Sequence, residues 1–265
     1  MSDRPRVYKT EGLVLRRRNL GEADSIFTVF SDREGKFDAI ARGVRKARSR
    51  MRGHLEPLTR SHLMLARGRT LDVFTQAETI NAYRNIREDL ERTALALYCA
   101  ELVDRFTIEH AENPGLYDLL LSVLDALEAG APPHIVRYFE MQLLSLTGYQ
   151  LQLDVCASCE ARLPEAEALL APSAGGLVCA NCRAASGGGR ILNVRAIKVL
   201  RFARGAEIEA FASLRVDDDL AHMLRGALSD VLHHIAEAEV RSDRYVDEVA
   251  RLSRVQTTEA PPTVQ

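Results

Sequence analysis

The chain contains no tryptophan among its 265 residues, and only 6% of them are aromatic. Few flat side chains are therefore on hand for stacking bare bases, so a polyanion should be gripped first through its phosphates. No stretch approaches ~20 consecutive apolar residues, which excludes a membrane-spanning helix of ordinary length. Neither apolar nor charged residues are scarce, at 46% and 27%. That composition excludes a disordered, collagen-like or coiled-coil chain. The opening Met1-Ser2-Asp3-Arg4-Pro5-Arg6 lacks the apolar run that a secretory signal needs behind its charges. A cytoplasmic location is expected, where the five cysteines stay reduced and form no disulfide framework.

Charge is present but unevenly spread. The formal net charge is −2, yet residues 1–70 hold seventeen Lys and Arg against eight Asp and Glu, and the remainder carries a net of −11. The asymmetry points to a polyanion-binding module joined to an acidic body, or else to a solvated basic face with no partner.

The first ~80 residues read as strands. Segments 12–17, 25–30, 36–41, 61–65 and 71–77 are short and rich in branched or aromatic residues, with turn chemistry between them. Five such strands predict a small antiparallel barrel, and several are apolar on both faces, as if the outside were partly covered. From about Asn85 the period becomes helical, with Ile86, Leu90, Ala94, Leu97 and Leu102 on one stripe. Pro114 opens a second helix, and a third runs from about His134 to Gly148. Further helices are predicted around 194–202 and 220–235, and a disordered tail over 253–265. The expected division is 1–80 for the barrel, 81–150 and 191–252 for two parts of a helical domain, and 151–190 for an insertion.

That insertion holds four of the cysteines. Cys156-x-x-Cys159 and Cys179-x-x-Cys182 are separated by nineteen residues, the spacing of a two-knuckle, four-cysteine zinc site. A closed shell of four thiolates makes such a Zn2+ structural, one per chain; a redox dithiol and a site without metal are the alternatives. Gly175-Gly176 stands where the chain must turn tightly before the second knuckle. Cys99 lies in an apolar helical stripe and reads as a small core residue.

Basic residues supply the other motif. Arg16, Arg17 and Arg18 close the first strand, and Arg42, Arg45, Lys46, Arg48, Arg50 and Arg52 crowd an eleven-residue connection that contains no acid. On a barrel such a connection lies beside the groove that tracks a nucleic-acid backbone. Phe27, Phe30, Phe37 and Phe74 could stack bases, although core packing suits each of them better. No coherent nucleophile–base set is visible. Ser186-Gly187-Gly188-Gly189 lacks the flanks of a phosphate loop. His233-His234 lacks the spacing of a zinc protease, and Asp217-Asp218-Asp219 suits a helix start.

With these residues in place, the chain resembles the DNA repair protein RecO family along nearly its whole length. The resemblance is carried by Gly12-Leu13-Val14-Leu15-Arg16, Leu20-Gly21-Glu22-Ala23-Asp24-Ser25, Gly35-Lys36, Ala41-Arg42-Gly43-Val44-Arg45-Lys46 and Gln76-Ala77-Glu78. Farther on it rests on Glu101-Leu102, on Arg137-Tyr138-Phe139-Glu140-Met141-Gln142-Leu143-Leu144 closing at Gly148-Tyr149, and on the paired Cys-x-x-Cys knuckles. It implies an α+β multi-domain chain: a five-stranded oligonucleotide/oligosaccharide-binding (OB-type) β-barrel, then a helical domain with an inserted zinc knuckle. It also implies a non-enzymatic recombination mediator that binds single- and double-stranded DNA, anneals strands, and loads RecA with RecR. On this reading Lys36 joins the DNA-contacting set. The acidic tail of single-strand-binding protein is expected to dock in the helical body, with Arg137 as the candidate cation and Arg92 and Arg105 behind it; Arg137 on a solvated face is the other reading. A zinc-containing nuclease or hydrolase is the alternative function.

Overall fold

The structure, a computed structural model, describes residues 6–236 and positions 242, 245, 246, 248 and 249. The predicted tail at 253–265 lies outside the described residues. The chain divides into two compact units, Met1–Glu128 and Ala129–Gln265.

In the first unit β1 (Val7–Leu20), β2 (Asp24–Ser31), β3 (Gly35–Ala41), β4 (Arg60–Ala66) and β5 (Asp72–Asn81) close a barrel in the order β1-β2-β3-β5-β4. All pairings are antiparallel except β3 with β5, which run parallel at Ala39–Asp72 and Ile40–Val73 and seal the ring. Closure leaves no free sheet edge. β1 is long enough to pair with both β2 and β4, and a register shift between Val14 and Arg16 bends it from one neighbour to the other. Alternate residues turn inward, so Val14, Phe27, Val29, Phe37, Leu63, Leu65 and Phe74 fill the interior. Phe27 and Phe74 meet edge to face, their centroids 5.9 Å apart. The four phenylalanines considered for stacking are all buried, so they belong to packing.

Leu13, Leu15 and Phe30 are also buried, which accounts for strands apolar on both faces. Helices of the same unit cover them: α1 (Arg84–Glu88), α2 (Leu90–Phe106) and α3 (Pro114–Glu128), with α2 packed on β1 and α3 on β2. The single helix expected from Asn85 is broken at Asp89, whose side chain accepts the Arg92 N–H and starts α2 afresh. Cys99 is fully buried in α2.

The second unit contains α4 (Ile135–Leu146), α5 (Val194–Gly205), α6 (Ile208–Ala212) and α7 (Asp218–Ala236). It also has a small sheet of β6 (Ala168–Ala171), β7 (Gly176–Val178) and β8 (Arg190–Leu192) in the order β7-β6-β8. α4 packs against α5, α6 and α7. Asp217 accepts the Leu220 N–H at 3.0 Å and so starts α7, the role its acidic run suggested. The little sheet and α6 were not anticipated, because elements of three to five residues are too short to show a period.

Candidate nucleic-acid interface and metal centre

The connection from β3 to β4 is pinned rather than loose. Its Gly43 N–H donates to Asp24 Oδ1 (2.7 Å), its Arg45 N–H to the Ala23 carbonyl (2.9 Å), and the Arg45 Nη1 to the Gly21 carbonyl (3.0 Å). These bonds seat it against the β1–β2 turn. At its far end a single 3-10 turn, Arg52–Leu55, holds His54, whose Nδ1 accepts the Thr79 N–H at 3.2 Å. Val44 and Leu55 are buried in the barrel core and Met51 packs against it. The apolar members of the segment thus plug the barrel, and Arg42, Arg45, Lys46, Arg48, Arg50 and Arg52 are left exposed. Among the described residues none of the six has a carboxylate within ion-pair distance.

The other predicted contacts are differently placed. Arg16 Nε meets Asp104 at 2.7 Å, Arg17 meets Glu56 at 3.2 Å, and Arg18 pairs with Asp38. Lys36 is nearly buried; its ammonium lies 3.3 Å from the Asp104 carboxylate and also donates to the Asp104 carbonyl. An ammonium so enclosed serves the packing of β3 on α2, which removes Lys36 from the surface expected to meet DNA. Arg17 and Arg18 sit in partly exposed pairs worth about 0–1 kcal/mol, so each would have to give up a carboxylate before meeting a phosphate.

The four cysteines converge. Their sulfur atoms all lie within 4.8 Å of one another, and Cys159 and Cys179 are 3.9 Å apart. Thiolates ~2.3 Å from a tetrahedral ion stand about 3.8 Å from each other, so the spacing fits one metal ion. Gly175 (φ +68°) and Gly176 make the turn; a Cβ on Gly176 would lie 2.3 Å from the Gln152 carbonyl oxygen. Burial raises the Cys156 thiol, but backbone N–H groups of Cys179, Cys159 and Ser158 outweigh it and bring the pKa down to about 6. Cys182, beside its fellow sulfurs, is pushed up to about 12. Four thiolates cannot all ionise unaided at this spacing, and a dication resolves that repulsion.

Arg137 is not solvated. Its side chain is 7% exposed and pairs at 3.0 Å with Glu140, which is fully buried one turn on in α4. Arg92 pairs with Asp89 and Arg105 with Glu101. The intrahelical partner of Arg137, three residues away, was visible in the sequence; its burial was not.

Comparison with known proteins agrees with this architecture. Residues 1–83 match the family described as Recombination protein O N terminal, and residues 87–244 match Recombination protein O C terminal. A DNA repair protein RecO of Roseiflexus sp. (strain RS-1) is 38% identical over 262 residues, covering 98% of this chain and 91% of that protein. One from Dehalococcoides mccartyi is 34% identical over 245 residues, covering 92% and 96%. One from Pelotomaculum thermopropionicum is 35% identical over 242 residues, covering 91% and 94%.

Proposed function

The chain belongs to the RecO family of DNA repair proteins, and from that membership we propose that it is a non-enzymatic recombination mediator. It binds single- and double-stranded DNA through the β3–β4 connection, brings complementary strands together, and acts with RecR to load RecA. The observation that carries this reading is the row of six exposed cations, none with a carboxylate partner among the described residues, on a connection pinned to a closed barrel. Cations held this way neutralise phosphates without engaging bases, so two bound strands repel less and their bases stay free to pair. Affinity is then insensitive to sequence and steep in salt.

The four-cysteine centre holds one structural Zn2+, ligated by Cys156, Cys159, Cys179 and Cys182. The sulfur geometry and the acidified Cys156 support this assignment. Four protein sulfurs leave no coordination position for a substrate. The acidic tail of single-strand-binding protein is the proposed partner of the helical unit. For Arg137 to receive it, Glu140 must give way. An anisotropy titration of a labelled tail peptide with wild type and Arg137→Ala tests this docking.

The deciding experiment is binding of unrelated single strands and duplexes to the full chain across a salt series, with magnesium present in a parallel single-turnover assay. Equal affinity for unrelated sequences, with intact DNA after incubation, supports a mediator. Strand cleavage would establish the nuclease instead.

A further inference from the structure

A cleft of about 850 Å3 opens on the first unit beside the basic connection. Strand register shows how its wall is built. On the outward face of β1, β4 and β5, Glu11, His62 and Glu78 stand side by side, and two residues along Lys9, Met64 and Gln76 form a second row. Cross-strand neighbours in such rows lie ~5 Å apart and successive rows ~7 Å. The result is a patch two residues deep and three strands wide, with an imidazole and a thioether at its centre.

The polar groups around that centre differ in how free they are. Glu11 is committed: Arg60 donates to it at 2.6 Å and the Tyr117 hydroxyl at 3.0 Å. Burial raises the Glu11 pKa, but these donors hold it below the ordinary glutamate value. Gln76 and Glu78 are exposed, and neither has a side-chain hydrogen bond among the described residues. Lys9 is exposed with no carboxylate in ion-pair range among the described residues, and Arg50 reaches the same cleft from the basic connection. A flat, polarisable centre, unpaired amide and carboxylate edges, and unneutralised cations at the rim match the three parts of a nucleotide.

We propose that the outer face of β1, β4 and β5 receives one unstacked nucleotide of a DNA strand. Its base lies against His62 and Met64 with Gln76 and Glu78 at its edge, and its phosphates meet Lys9 and Arg50. The proposal rests on the DNA-binding reading above and adds a base contact that the phosphate-gripping connection does not supply. The cleft volume lies within the ~300–1,000 Å3 range of small-molecule sites, enough for one nucleotide.

The test compares a thymidine oligonucleotide with an abasic strand of the same phosphate number, both titrated against the full chain. Wild type should bind the thymidine strand on the order of 5- to 100-fold more tightly, the contribution of one stacked base. His62→Ala with Met64→Ala should bring that ratio close to one while the salt slope stays unchanged, and His62→Phe should restore it. Both positions face outward, and an unchanged thermal midpoint confirms that the variants fold. A ratio of one in wild type, or a ratio that the double variant leaves intact, overturns the platform and leaves phosphate binding standing. Failure of wild type to bind either strand overturns the DNA-binding reading itself.

Discussion

Replacing Arg42, Lys46, Arg48 and Arg52 together with Ala tests the difference between free and paired cations. All four are exposed, have no carboxylate partner among the described residues, and lie outside the proposed nucleotide cleft. If each neutralises one phosphate of a single strand, the log–log salt slope falls by about 0.7 per contact, or up to ~2.8 in all. Over a rise from roughly 50 to 200 mM salt, that slope corresponds to a ~50-fold change in affinity that wild type suffers and the variant does not. Arg17→Ala with Arg18→Ala is the control, because each of these already has a carboxylate, Glu56 or Asp38. Its slope should change by less than half as much. Filter binding or anisotropy with a labelled oligonucleotide reads both. Equal slopes in wild type and the fourfold variant, or a full ~0.7 lost per arginine in the control pair, would refute the assignment of DNA contact to the free cations.

Metal analysis of protein purified without chelator should find about one zinc per chain, and Cys159→Ser or Cys179→Ser should lower the thermal midpoint more than DNA affinity of the folded fraction; absence of zinc would end that claim. Glu140→Ala strands the nearly buried Arg137 charge and should cost about 3–5 kcal/mol in denaturant unfolding, most of it regained by Arg137→Met with Glu140→Leu. A loss under ~1 kcal/mol would mean the pair is not desolvated. His134 titrates below the ordinary histidine value because burial outweighs its bonds to the Phe211 and Ala212 carbonyls. The unfolded chain therefore takes up that proton first, and stability should fall as pH drops below about 6.5. His134→Asn should flatten the thermal midpoint in that window, and an unchanged slope would discount His134. Gly35→Ala forces a Cβ to 2.3 Å from the Ala111 carbonyl oxygen at φ +63°, so it should destabilise by about 1–3 kcal/mol in the same unfolding assay.

Long elements were legible because period and punctuation coincide in them. Pro114 opens α3 and Asn113 caps it, its side chain accepting the Leu116 N–H, so the start of that helix follows from local chemistry alone. The five strands follow equally from their branched and aromatic residues and the turn chemistry between them, and the cysteine spacing foretold a convergence of sulfurs. Partnerships between distant residues were hidden. Nothing near Lys36 announces that Asp104, sixty-eight positions on, will take its charge, and nothing near Arg17 announces Glu56. A count of bases therefore overstated the free charge of the barrel, and the His62–Met64 pair went unnoticed because its significance lies in cross-strand register.

Asp104 has a further consequence, for which parts of the chain can be exchanged between relatives. Its carboxylate serves Arg16 from β1 and Lys36 from β3, and its carbonyl takes a second bond from Lys36. A chimera joined between β5 and α2 would pair one parent's cations with whatever the other parent carries at this position. Any anion too short or absent would leave the half-exposed Arg16 and the nearly buried Lys36 without the carboxylate they share. Arg16, Lys36 and Asp104 must therefore be inherited together, and the segment that can be transplanted intact runs through α3 rather than stopping at the last barrel strand.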